Sequence, residues 1–183
     1  MNLSLTEIIP MIVIAAVLFV SAISDFRSRK IPNRLTFPAV VVGITYHTCT
    51  SGWRGFLFSV GGVLAGLALL MTFYLLGGMG AGDVKLMGAV GGFLGPKGVF
   101  AAFLGTSLIG GVYAIVLLAL QGGITDIIRR YGLMLKAFFF THRMAYIPPV
   151  KKEKMPALCY GIAIAIGTML SMLWNIILQT GKY

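Results

Sequence analysis

Apolar residues run through this chain in blocks of the length that crosses a lipid bilayer. The blocks cover residues 8–24, 35–50, 56–76, 84–95, 99–120 and 156–178. A hydrocarbon core about 30 Å thick takes about 20 helical residues. The third, fifth and sixth blocks meet that length, and the second meets it if it tilts or extends into its flanks. The fourth is too short, since a 12-residue helix reaches only about 18 Å at 1.5 Å per residue. It holds Gly88, Gly91, Gly92 and Gly95, and Pro96 follows it. A short or broken helix is expected there, continued by irregular backbone whose polar groups are satisfied by protein or water. Charged residues are 11% of the chain, against about 25% in soluble domains, too few to cover a water-soluble surface. The expected fold is all-α: one membrane-embedded domain over residues 1–183, with about six transmembrane helices. No Lys or Arg precedes Arg27, so the first block lacks the basic start of a signal peptide and reads as a retained span.

Six crossings put both termini on one side, and the positive-inside rule selects the side. With the N-terminus outside, twelve of the fifteen Lys and Arg residues fall on cytoplasmic segments, leaving Arg54, Lys97 and Lys182 outside. The expected topology is therefore N-out and C-out. The net charge of +10 does not point to nucleic acid, because the basic residues flank apolar blocks. Anionic lipid headgroups are the partner this pattern suits. Residues 121–155 form the one long connection. Ile124, Ile127, Ile128, Tyr131, Leu135, Phe138 and Phe139 share a helical face there, which predicts an amphipathic helix lying in the cytoplasmic headgroup plane. Cys49 and Cys159 are expected at opposite membrane faces as small buried residues. They form neither a disulfide nor a zinc site, and no cofactor or metal is expected. The small-residue spacings Gly62/Gly66 and Gly88/Gly92 are expected to let helix backbones approach closely.

Of the five acidic residues, Glu7 lies at the outer edge of the first block, and two adjoin blocks elsewhere: Asp25 at the end of the first and Asp83 at the start of the fourth. An even number of crossings between them delivers both to the cytoplasmic membrane edge. An ionisable residue beside hydrocarbon is costly and marks function by default. Two close carboxylates share a proton, because both cannot ionise easily. The charged one can then take a proton from an attacking water while the protonated one hydrogen-bonds the developing oxyanion. That is the chemistry of water-driven amide hydrolysis. Gly77-Gly78-Met79-Gly80-Ala81-Gly82 should break the helix ahead of Asp83 and let a substrate strand come near. The helix dipole would favour an anion at the helix start. Either aspartate taken alone is equally explained as a helix cap or as a partner for Arg27, Arg29 or Lys85.

The segments around the aspartates carry a family resemblance. Asp25-Phe26-Arg27-Ser28-Arg29-Lys30-Ile31-Pro32-Asn33 and Gly80-Ala81-Gly82-Asp83-Val84-Lys85-Leu86 resemble the two signature segments of the type IV prepilin peptidases, aspartic peptidases of the GxGD type. Met155-Pro156-Ala157 resembles the family's Pro-Ala segment before the last span. The resemblance implies that Asp25 and Asp83 are catalytic, and that Lys85 and Asn33 position the site beside the motif glycines Gly80 and Gly82. It also implies a substrate: the basic leader of a prepilin or pseudopilin, cut at the cytoplasmic face of the inner membrane. Only nine residues separate Asp25 from Leu35, and no cysteine cluster lies between them. Larger bacterial members insert a cysteine-containing region near the first span and also N-methylate the product, so methyl transfer is not expected here. The compact form resembles peptidases serving Flp/Tad-type pili, with archaeal-type relatives also open. Two other readings fit a polytopic chain with few acids. One is a proton-coupled transporter, which should carry ionisable residues at several depths. The other is a non-catalytic pilus or secretion assembly subunit, which should tolerate loss of either aspartate.

Overall fold

A computed structural model describes residues 5–120 and 159–180. All regular structure among them is helical: α1 (Leu5–Ser28), α2 (Asn33–Leu75), α3 (Ala81–Leu120) and α4 (Tyr160–Thr180). Three of these helices, the first three, are long and apolar enough to cross a membrane, and α4 carries a shorter apolar stretch at Tyr160–Trp174. The chain divides into one compact unit of Met1–Gly110 with Leu158–Tyr183 and a second of Gly111–Ala157. The first unit carries both aspartates. The amphipathic segment expected at 121–155 and the Met155-Pro156-Ala157 segment lie outside the described residues.

The exterior of the first unit is apolar. Ile12, Phe19, Val41, Leu57, Leu64, Leu104 and Leu170 all stand exposed, which water would oppose and lipid tails would not. The interior mixes apolar side chains such as Ile14, Leu18, Leu70 and Ile164 with buried polar ones, among them Ser21, Thr36, Ser59 and both aspartates.

The two longest helices are each broken at one glycine. Gly52 sits at φ 58°, ψ −139° inside α2, and Gly95 at φ 68°, ψ −178° inside α3. Side chains with a Cβ scarcely adopt that backbone region. Each break folds its helix back on itself. A straight helix would hold Val40 and Val63 about 35 Å apart. Here Gly92 of α3 packs against Val40 from before Gly52 and against Ser59 and Val63 from after it. In the same way, the part of α2 after Gly52 meets α3 on both sides of Gly95. Gly66 abuts Met87, Gly62 abuts Gly91, Gly61 lies beside Pro96, and the Phe73 and Phe103 rings are 6.2 Å apart. The expected irregular stretch after the fourth block is thus a single residue, because Pro96 directly after Gly95 is suited to a first helical turn.

Residues 83–93 of α3 form the most enclosed segment. Leu86, Met87, Ala89 and Val90 are fully buried. A helix enclosed on all sides can be apolar all round and need not reach lipid at either end, which accounts for the short fourth block. Gly62 and Gly66, expected as packing positions, touch α3 backbone directly, and Ser59 Oγ donates a hydrogen bond to the Gly92 carbonyl at 2.6 Å. α1 packs along α4 and, less extensively, against α2. Asp83 is the first buried residue of this enclosed segment, just after the exposed start of α3.

Candidate active site

Asp25 lies one turn before the end of α1. The first apolar block stops at Ser24, but the helix continues to Ser28, so Asp25 projects from a formed helix wall. The chain then leaves through Arg29, whose positive φ of 50° is uncommon for a residue with a side chain. Hydrogen bonds fasten this turn. The Arg29 N–H donates to the Asp25 carbonyl at 2.8 Å, Ser24 Oγ to the Lys30 carbonyl at 2.9 Å, and Ser28 Oγ to the Ser24 carbonyl at 2.8 Å. The turn delivers Ile31 inward, where it is buried, and Pro32 immediately before α2.

Asp83 lies in the first turn of α3. Its Oδ2 accepts the Gly80 N–H at 3.0 Å, and its own N–H donates to the Gly80 carbonyl at 3.1 Å. An acid three residues into a helix that reaches back to the residue before the helix is a known way to satisfy the unpaired N–H groups of a helix start. Gly82 explains the other motif glycine. A Cβ there would stand 3.0 Å from the Ile31 Cβ and 3.4 Å from the Ile31 carbonyl oxygen. The glycine motif thus docks against the Ile31-Pro32 segment, joining the two halves of the sequence signature.

Both carboxylates are buried, Asp25 at 6% and Asp83 at 8% exposure, and the charge of Asp25 reaches Asp83. Asp25 is held from a third direction, for its Oδ2 accepts the Gly161 N–H at the start of α4, at 2.8 Å. Each carboxylate therefore has one oxygen anchored by a glycine amide. Among the described residues, no hydrogen bond is seen to the other oxygen of either. Cys159, just before α4, lies within the field of Asp25, Arg29 and Asp83.

Lys85 and Asn33 also meet. Lys85 Nζ donates to Asn33 Oδ1 at 2.9 Å, and the ammonium lies 5.4 Å from the centre of the Phe37 ring. Asn33 is thus no cap for α2, whose start has no side-chain cap bond, and Lys85 is turned toward α2. The contact ties the start of α2 to the start of α3 close to Asp83. Lys85→Met is expected to lower stability by about 0.5–1.5 kcal/mol, toward the low end because the contact is solvent-accessible. Asn33→Ala on that background is expected to add almost nothing, since the pair acts as one unit. Thermal unfolding of the four proteins in detergent measures both.

The profile of the type IV leader peptidase family matches residues 12–115, which takes in both aspartates, Asn33, Lys85 and the glycine motif. The chain belongs to the type IV leader peptidase family. Among curated proteins it is similar to a prepilin leader peptidase/N-methyltransferase of Bacillus subtilis (strain 168), with 32% identity over 112 residues, covering 58% of this chain and 44% of the relative. A protein of the same description from Aeromonas salmonicida (strain A449) is 32% identical over 104 residues, covering 53% of this chain and 35% of its own length. The chain thus spans less than half the length of the curated leader peptidases it matches. No solved structure matches it.

Two site features had no signal in the sequence. Gly161 looks like any glycine in an apolar helix, and its contact with Asp25 spans 136 residues. Cys159 reads as a buried filler residue yet is half-buried, within the field of both acids. Cys49 is a correction: it is exposed, not buried, and both cysteines are free thiols. It sits near the Gly52 break, where the helix wall faces outward.

Proposed function

We propose that this protein is a membrane aspartic endopeptidase that removes the basic leader from prepilin or pseudopilin substrates. The observation that carries the proposal is the pair of buried aspartates, each with one oxygen anchored and, among the described residues, the other without a hydrogen bond. A water between the free oxygens would lose a proton to the charged carboxylate as it attacks the scissile carbonyl. The protonated carboxyl would hydrogen-bond the oxyanion, and the proton would then pass to the leaving amine. The acid and base roles belong to the pair and not to either residue. In this proposal Gly80, Gly82, Lys85 and Asn33 are positioning residues. The names carried by the Bacillus and Aeromonas relatives support the substrate class.

The same proposal holds that the chain crosses the cytoplasmic membrane six times with both termini outside. The reversals at Gly52 and Gly95 support it, since the first turns α2 into two lengths suited to separate crossings and the second divides α3 into a short enclosed helix and one long enough to cross. The surplus of Lys and Arg on one set of loops supports the orientation. The pair would then sit at the cytoplasmic rim, at the depth where a substrate helix lying in the bilayer presents its leader. Exposed Arg27, Arg29, Lys30 and Arg34 would rest against anionic headgroups.

The test is a cleavage assay. Purified protein in detergent is mixed with a pseudopilin bearing a basic leader ahead of an apolar helix, and the products are read by mass spectrometry. Cleavage at the junction between leader and helix is the expected result. Substrate left intact under conditions where the protein remains folded would overturn the proposal.

A further inference from the structure

We propose that Gly161 is a positioning residue for the aspartate pair: its amide fixes one oxygen of Asp25, and its missing side chain makes room for that carboxylate. The inference rests on the peptidase proposal above and extends it to α4, which contributes no acid to the site.

Two independent observations carry it. The first is the hydrogen bond. Gly161 N–H lies in the first turn of α4, where the initial amides of a helix have no partner within the helix. Its partner is instead Asp25 Oδ2 at 2.8 Å, in a buried setting. A bond from an amide to a carboxylate is stronger than one between neutral groups, and it comes from a rigid element. The second is space. A Cβ at position 161 would stand 2.9 Å from Asp25 Oδ2, 3.0 Å from its Cβ and 3.1 Å from its Cγ. All three atoms belong to the aspartate, so an added methyl group must shift that side chain by a few tenths of an ångström. Any residue could donate the amide bond, but glycine is the one that leaves Asp25 where it now accepts it.

The consequence concerns symmetry within the site. Asp83 is set by Gly80, three residues away on its own helix start. Among the described residues, Asp25 has no such donor on its own helix. α4 supplies the missing constraint, so the site is complete only when the last helix is docked on the first. Misplacing a reacting group by about 1 Å can cost about 10²-fold in rate.

Two variants separate the steric and hydrogen-bonding parts, both made in the full-length protein and assayed on the pseudopilin substrate. Gly161→Ala is expected to lower kcat by about 10²-fold with KM unchanged and with thermal stability retained. The second variant replaces the amide at position 161 by an ester, using glycolic acid in place of glycine. It removes the donor without adding an atom, and no bond within the helix is lost. It is expected to lower kcat by about 10-fold, again with KM unchanged. Wild-type kcat in Gly161→Ala overturns the proposal. If Gly161→Ala fails to fold, the ester decides: a folded ester variant with wild-type kcat overturns it, and one with reduced kcat at constant KM supports it. Asp25→Asn distinguishes the two levels. Full activity in that variant would sink the aspartate mechanism itself. An inactive Asp25→Asn beside fully active Gly161 variants would sink only the role of Gly161.

Discussion

Asp25→Asn and Asp83→Asn are each expected to lower the rate of leader cleavage by at least about 10³-fold, or about 4 kcal/mol of transition-state stabilisation. The size follows from what each group does. General acid–base assistance contributes roughly 10²–10⁴-fold per group, and here the same two groups both activate the water and stabilise the oxyanion. An amide side chain can neither take the proton nor return it. The double variant is expected to be about as slow as either single variant, because residues that act as a unit do not lose their effects additively. A steady multiplication of the two single losses would show that the carboxylates work separately, and the shared-water mechanism would fail.

The same variants are expected to fold. Asn is nearly the size of Asp, and its carbonyl oxygen can still accept the Gly161 or Gly80 N–H that the carboxylate oxygen accepts now. Removing one of two neighbouring buried acids also removes a desolvation cost that only function justifies. Thermal unfolding in detergent should therefore show no loss of stability in either variant, and a modest gain is the direction the physics favours. Inactive but fully stable variants separate a catalytic role from a structural one.

Much of this arrangement was legible in the sequence, and the reason is lipid. A bilayer forces a chain to pay out its apolar residues in spans of fixed length, so the apolar blocks show an all-helical membrane chain without any knowledge of packing. The short fourth block was legible for the same reason: its length fails the bilayer requirement, and its glycines announce close packing. Local contacts of high sequence separation were not legible. Nothing marks Gly161 as a partner of Asp25, since one amide among many in an apolar helix carries no pattern. The exact end of α1 was also hidden, because Asp25, Phe26, Arg27 and Ser28 continue the helix past the end of the apolar block, beyond where hydropathy stops reporting. The exposure of Cys49 was missed because burial in a membrane protein cannot be ranked by polarity: lipid accepts apolar side chains on the outer face as readily as the core does.

The second large effect is expected at Gly62 and Gly91, where α2 and α3 touch backbone to backbone. A Cβ on Gly62 would collide with the Gly91 carbonyl group, and a Cβ on Gly91 with the Gly62 carbonyl group. Neither obstacle is a side chain that can rotate away, so an added methyl must push the two helices apart. The displaced element would be the enclosed stretch of α3 behind Asp83, with Leu86, Met87 and Val90 losing contacts all round. Gly62→Ala and Gly91→Ala are each expected to destabilise the protein by about 3 kcal/mol, the upper end of the usual cost of overpacking. They should also weaken cleavage through movement of Asp83. Gly61 provides the contrast, one residue away on the same helix. A Cβ there would meet only the Pro96 ring, at an ordinary 3.4 Å. Gly61→Ala is therefore expected to be neutral, or to stabilise by up to about 1 kcal/mol through its better helix propensity. Unfolding midpoints of the three variants in one detergent measure the difference. If Gly62→Ala and Gly61→Ala behaved alike, the backbone contact between α2 and α3 would not be what holds the centre of the bundle. The position of Asp83 would then need a different explanation.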